Sequence, residues 1–211
     1  MRIGIFGGSF NPPHKTHKRI PLELISNNYL DKVIYVPTGN KYNKKDLINS
    51  THRYNMLKIM TKEYSNLDVS DYELKQDLTY TYQTLNYFQN KYKNDTIYFI
   101  CGTDNLKEIT TWKNYQYILA NFKLIVLKRN NDNIEDILTN INSSNIITAN
   151  INLDNTSSTL IRNIISNNKN NLINFLDENI INYIEKNNLY KEKEGYHERN
   201  SKVIKRKKQN N

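Results

Sequence analysis

The sequence predicts a doubly wound α/β fold, a mostly parallel β-sheet with helices on both faces. Three observations lead there. Short apolar runs alternate with longer segments of helical spacing, from Ile3–Phe6 to the closing segment Glu178–Asn187. Glycines fall just beyond two of those runs, at Gly7-Gly8 and at Gly102. The 211 residues suit one domain with a tail, and no internal repeat divides them. In such sheets the crossovers are right-handed, and ligands bind beyond the carboxyl ends of the strands. The two glycine sites therefore share one rim.

Taken in order, Ile3–Phe6 is the first strand and Gly7-Gly8-Ser9 a turn. Pro12 and Pro13 exclude helix until about His14. A helix follows over Lys15–Asn28, which Pro21 either kinks or truly begins. Asp31–Val36 is the second strand, and residues 37–50 form a loop rich in Asn and Lys. Thr51 caps a helix over His52–Tyr64, where Met56, Leu57, Ile59 and Met60 keep helical spacing. Leu67–Ser70 is a short strand, Thr81–Tyr92 a helix, and Thr96–Cys101 a buried strand ending at Gly102. Short helices lie near Asn105–Ile109 and Tyr115–Ala120, before the strand Phe122–Leu127. Ile134–Asn142 is a helix and Asn145–Ile151 an edge strand. Ser157–Asn167 and Glu178–Asn187 close the domain. Residues 1–190 form that domain. From Lys191 apolar content collapses, so residues 191–211 are a solvated basic tail.

Hydrophobic residues make up only 37% of the chain, yet they cluster into these elements, so a core is feasible. No apolar run approaches the roughly 18 residues of a membrane span. Gly7-Gly8 interrupt any leader pattern early. The single cysteine, Cys101, excludes an internal disulfide and fits a reducing cytoplasm, where it reads as a small buried strand residue. The formal charge is +9, of which five units sit in the tail. The remainder suits an enzyme of polyanionic nucleotides without demanding nucleic acid.

The chemistry concentrates in IGIFGGSFNPPHKTH, residues 3–17. Paired glycines let backbone N–H groups approach an anion. His14 and His17 stand three apart and share a helix face. No nearby Cys, Asp or Glu completes a zinc set, so the pair reads as donors to phosphate oxygens. In NTSSTLIR, residues 155–162, Ser157 and Ser158 stand where a helix begins. Hydroxyls and free N–H groups there make an anion site, and Arg162 is placed to fork onto two phosphate oxygens. The plain alternative for the serines is helix capping. Gly102 permits close approach of a ligand, and Asp104 suits a ribose hydroxyl pair or, alternatively, a helix N-cap.

These blocks carry a resemblance. Gly7, Gly8, Ser9, Phe10, Asn11, Pro12, Pro13, His14 and His17 resemble the nucleotidyltransferase signature G-G-[ST]-F-[DN]-P-x-H-x-G-H, with Thr16 in place of the glycine between its histidines. Ser157, Ser158, Thr159, Ile161 and Arg162 resemble I-S-S-T-x-I-R, with Thr156 for the isoleucine. Phe99–Trp112 and Leu78–Thr84 resemble two further blocks, of the nicotinate-nucleotide adenylyltransferase branch. The resemblance runs from Met1 to about Tyr190 and implies a Rossmann-like fold. It implies catalytic roles for His14, His17 and Arg162. It implies ATP binding by Gly7, Gly8, Ser9, Phe10, Gly102, Asp104, Ser157 and Ser158. The acceptor falls to Tyr80, Thr81 and Trp112, whose indole would stack on a pyridine ring. In the weakest matching loop, among Lys41, Lys44 and Lys45, Lys44 is the choice for a phosphate contact.

The implied reaction joins ATP to nicotinate mononucleotide, with Mg²⁺ entering on the ATP and no metal held by the protein alone. The partners are thus ATP and a pyridine mononucleotide, and the sequence is compatible with a homo-oligomer. Two alternatives stay open: a relative using nicotinamide mononucleotide, or a CTP-dependent cytidylyltransferase of a polyol phosphate. A third, from another class, is a nucleotide-sensing or nucleic-acid-binding protein gripping phosphate through Lys205-Arg206-Lys207-Lys208. The tail lacks the aromatic or groove-reading pattern such proteins use.

Overall fold

In a computed structural model the described residues are 1–41, 46–128, 132–139, 141, 143–167 and 171–191. The tail from residue 192, Lys44 and Asn142 lie outside them. Six strands form one sheet: β1 (Arg2–Gly8), β2 (Lys32–Pro37), β3 (Leu67–Val69), β4 (Thr96–Gly102), β5 (Lys123–Leu127) and β6 (Ile146–Ala149). Their order is β3-β2-β1-β4-β5-β6 and every pairing is parallel. That order reverses direction beside β1, so the switch between the two halves lies at β1 and β4, where a Rossmann-like sheet opens its crevice.

The helices are α1 (Lys15–Ser26), α2 (Ser50–Thr61), α3 (Thr81–Lys91), α4 (Thr103–Glu108), α5 (Tyr115–Asn121), α6 (Ile134–Leu138), α7 (Ser158–Ser166) and α8 (Glu178–Lys186). Strand alternation sends side chains to two cores. Val33, Tyr35, Tyr98, Ile100, Ile125 and Leu127 join Leu24, Met56, Ile161 and Ile180 of α1, α2, α7 and α8. Ile3, Ile5, Ile34, Val36, Phe99, Leu124 and Val126 join Leu85, Phe88, Leu106 and Ile118 of α3, α4 and α5 on the other face. Cys101 is buried there, and burial pushes its thiol up to about 12. Among the described residues no helix is long and apolar enough to cross a membrane.

Several boundaries differ from the sequence expectation, each for a local reason. Gly7 and Gly8 belong to β1 and pair with Val36 and Pro37, because the β2 ladder continues past Phe6. Asn49, not Thr51, caps α2, its side chain accepting the Thr51 N–H at 2.9 Å. α3 does begin at Thr81 as expected, with Tyr80 as its N-cap, whose N–H donates to Gln83 Oε1 at 3.0 Å. α4 begins at Thr103 with Gly102 as N-cap, which places Asp104 inside the first turn rather than at the cap. Pro21 is the seventh residue of α1, so it lies inside the helix and does not begin it. The 3₁₀ turns at Glu73–Lys75 and Leu172–Asn174 carried no sequence signal.

Candidate active site

A cavity of about 830 Å³ opens over the carboxyl ends of β1 and β4. Gly7, Gly8, Ser9, Phe10, His14 and His17 line it from the β1–α1 connection. Ser157, Ser158 and Arg162 line it from α7, Gly102 and Asp104 from β4–α4, and Tyr80, Thr81 and Trp112 from two further connections. Every expected site residue among the described ones is therefore on this wall; Lys44 lies outside the description. The nearby Lys41 pairs with Asp77 at 2.6 Å, both exposed, as a solvated charged loop does.

The histidines are fixed by what surrounds them. His14 is the extended N-cap of α1 and is 5% exposed. Its backbone N–H donates to His17 Nδ1 at 3.2 Å. A neutral imidazole whose Nδ1 accepts carries its proton on Nε2, so His17 is set as an Nε2 donor. The two rings lie with centroids 3.7 Å apart. Phe10 meets His17 edge-on at 5.0 Å, and Tyr35 donates its hydroxyl to the His17 carbonyl at 2.8 Å. Burial raises the Tyr35 phenol far above its ordinary range, so it stays a donor. Phe10 reaches this position with a left-handed φ of 46°. A Cβ on Gly8 would stand 3.1 Å from the Phe10 ring, so the small residue makes room for that aromatic.

Blocks far apart in sequence are joined directly. Ser157 caps α7 by accepting the Leu160 N–H at 3.2 Å, so the capping alternative describes this serine. Ser158 instead donates its hydroxyl to the Pro12 carbonyl at 2.8 Å. Arg162 Nη1 donates to the Asn11 carbonyl at 3.0 Å. Asn11 in turn accepts from the Tyr190 hydroxyl at 3.0 Å and donates to the Asp46 carbonyl at 2.8 Å. The imidazoles, the start of α7 and the guanidinium thus face one space. Trp112 is half-buried, edge-on to Phe99 at 5.9 Å, with its surface on the cavity.

Three structural contributors stand outside the expected site residues. Thr16 is 6% exposed, and its hydroxyl donates to Asp154 at 2.8 and 2.9 Å. Asp154 also accepts the Thr156 N–H at 2.9 Å and Arg19 at 3.4 Å. Burial works to raise this carboxyl, but the bonds from Thr156 and Thr16 and the charge of Arg19 hold it below the usual range. The side chain that replaces glycine is therefore a tie to the α7 connection. Arg53 is fully buried and donates to the carbonyls of Ser9 at 2.8 Å, Thr38 at 2.5 Å and Ile48 at 3.1 Å. It sets the Gly-Gly-Ser connection, and burial lowers it to about 10. Glu73 lines the cavity, accepts from Thr84 at 2.6 Å, and is pushed up by burial to about 7. Thr16 was marked in the sequence only as a departure from the signature's glycine, and Glu73 not at all.

The cytidylyltransferase-like family model matches residues 5–164. A protein of Clostridium novyi named probable nicotinate-nucleotide adenylyltransferase is 38% identical over 79% of this chain and 88% of its own length. One of Clostridium botulinum with the same name is 39% identical over 90% and 98% respectively. The fold is shared with the Plasmodium falciparum nicotinic acid mononucleotide adenylyltransferase solved with NaAD, at a TM-score of 0.75 and 24% identity, covering 90% of this chain and 97% of that one.

Proposed function

The chain belongs to the cytidylyltransferase-like family, in its nicotinate-nucleotide adenylyltransferase branch, and from that premise we propose that it transfers AMP from ATP to nicotinate mononucleotide. A phosphate oxygen of the mononucleotide attacks the α-phosphorus of ATP in line. The bond from that phosphorus to the bridging oxygen of the β-phosphate breaks. Deamido-NAD forms and pyrophosphate leaves with the electron pair. No covalent enzyme intermediate is needed.

The observation that carries this reading is the convergence of His14, His17, Ser158 and Arg162 on one cavity from positions more than 140 residues apart. Negative charge spreads over the phosphoryl oxygens in the transition state. The imidazole N–H groups, the first N–H groups of α7 and the Arg162 guanidinium supply preorganised positive potential for it. His17 needs no reorganisation, because its Nδ1 is already engaged. Magnesium would enter as part of the ATP substrate and would neutralise charge on its phosphates. The acceptor ring takes the wall formed by Tyr80, Thr81 and Trp112, and a ribose takes Asp104.

Pyrophosphate release with ATP and nicotinate mononucleotide, beside nicotinamide mononucleotide and beside CTP with polyol phosphates, tests the proposal. Release with ATP and a pyridine mononucleotide supports it; release only with CTP overturns it.

A further inference from the structure

Lys113 stands on the cavity wall with no part in the chemistry above. It lies between Trp112, which ends a 3₁₀ turn, and Asn114, whose left-handed φ of 56° turns the chain into α5. The reversal puts Lys113 at a corner. Its ammonium lies 4.5 Å from the centroid of the ring of Tyr80, the N-cap of α3. Tyr80 is 39% exposed, so the pair sits at the mouth rather than in the core. Lys113 forms no ion pair among the described residues.

The placement matters because of what shares that wall. Tyr80, Thr81 and Trp112 are the residues assigned to the acceptor ring. The carboxylates of Asp104 and Glu108 and the Glu73 carboxyl also line the cavity, and they oppose an acidic acceptor. A nicotinate ring carries a carboxylate where nicotinamide carries a neutral amide. A cation beside the ring separates these two by charge, and the aromatic face of Tyr80 keeps that cation in place.

We propose that Lys113, held over Tyr80, is a specificity-determining residue that selects an acceptor ring bearing a carboxylate over the matching amide. This rests on the adenylyl-transfer reading. Lys113 is not a catalytic residue; it acts on acceptor affinity. Attraction between partly exposed charges is modest and screened, so its expected size is about threefold to fivefold at low salt and less at high salt.

The test compares kcat/KM for nicotinate and nicotinamide mononucleotides, with ATP saturating, in the full chain and in Lys113→Met and Lys113→Arg. Lys113→Met should lose about threefold to fivefold on the acid, through KM, and less than twofold on the amide. Lys113→Arg should keep the preference, and added salt should shrink it in the unaltered protein but not in Lys113→Met. An equal fall on both acceptors would make Lys113 a phosphate or shape contact and overturn the inference. An unchanged ratio in Lys113→Met with an active parent overturns it alone. A parent that uses neither mononucleotide overturns the inference together with the reading beneath it.

Discussion

Glu73 offers a prediction whose size follows from the structure. Burial moves its carboxyl from 4.5 up to about 7, against the hydrogen bond from Thr84 and the charge of Arg53. Below about pH 4.5 the carboxyl is protonated in folded and unfolded chains alike, so it contributes no pH dependence. As pH rises towards 7 the unfolded chain ionises freely and the folded one resists. The folded state then binds more protons, and stability falls by about 1.4 kcal/mol per pH unit. Above pH 7 both states are ionised and the loss is complete. The full shift corresponds to about 3 kcal/mol, and residual water at the cavity wall reduces the expected effect to about 2 kcal/mol. Glu73→Gln keeps an acceptor for the Thr84 hydroxyl and removes the charge. Urea unfolding at fixed ionic strength should find the two proteins similar near pH 4.5. The variant should become the more stable by about 2 kcal/mol at about pH 8. Parallel pH profiles for the two proteins would refute the reasoning, because the burial cost would then be absent.

Three further outcomes are expected. His17→Ala should fold normally by circular dichroism and lose roughly 10²-fold or more in turnover, the usual effect of removing a preorganised donor. Thr16→Val, an isosteric change that breaks the bond to Asp154, should lower kcat several-fold, and Thr16→Ser should retain activity in the same assay. Its stability cost should stay below about 1 kcal/mol, because Asp154 is 48% exposed and can turn to water. Gly4→Ala would set a methyl 2.5 Å from Leu30 Cδ1 and 2.8 Å from Ile100 Cδ1, and thermal unfolding should register a loss of about 1–3 kcal/mol.

Much of the architecture was legible because apolar runs declare themselves. Residues 97–101 and 124–127 are continuous apolar runs within their strands, buried on both faces, and the sequence shows them as strands. Element ends were less legible. A cap is decided by which of several competent side chains reaches an N–H, and Asn49 and Thr51 are both competent. The extent of β1 depended on its partner, since nothing in Gly7-Gly8 announces that Val36 and Pro37 run alongside. The residues that line the cavity could be named for a related reason: glycines, paired histidines, serines and an arginine carry their chemistry in their identity.

What escaped was the scaffolding, and the cause is physical. Arg53, Arg162 and Ser158 all donate to backbone carbonyls, of Ser9, Thr38, Ile48, Asn11 and Pro12. Every residue has a carbonyl, so such an acceptor leaves no mark in a sequence. The same bonds explain why a dispersed set of motifs acts as one surface. Ser158 and Arg162 are held by the segment that leads into His14, and Thr16 reaches back to the connection that leads into Ser157. Each block is thus anchored by the other, and a displacement of either moves both. On the proposed function, these reciprocal ties would set the geometry for a triphosphate before any ligand arrives, the condition under which fixed donors lower a barrier rather than merely bind.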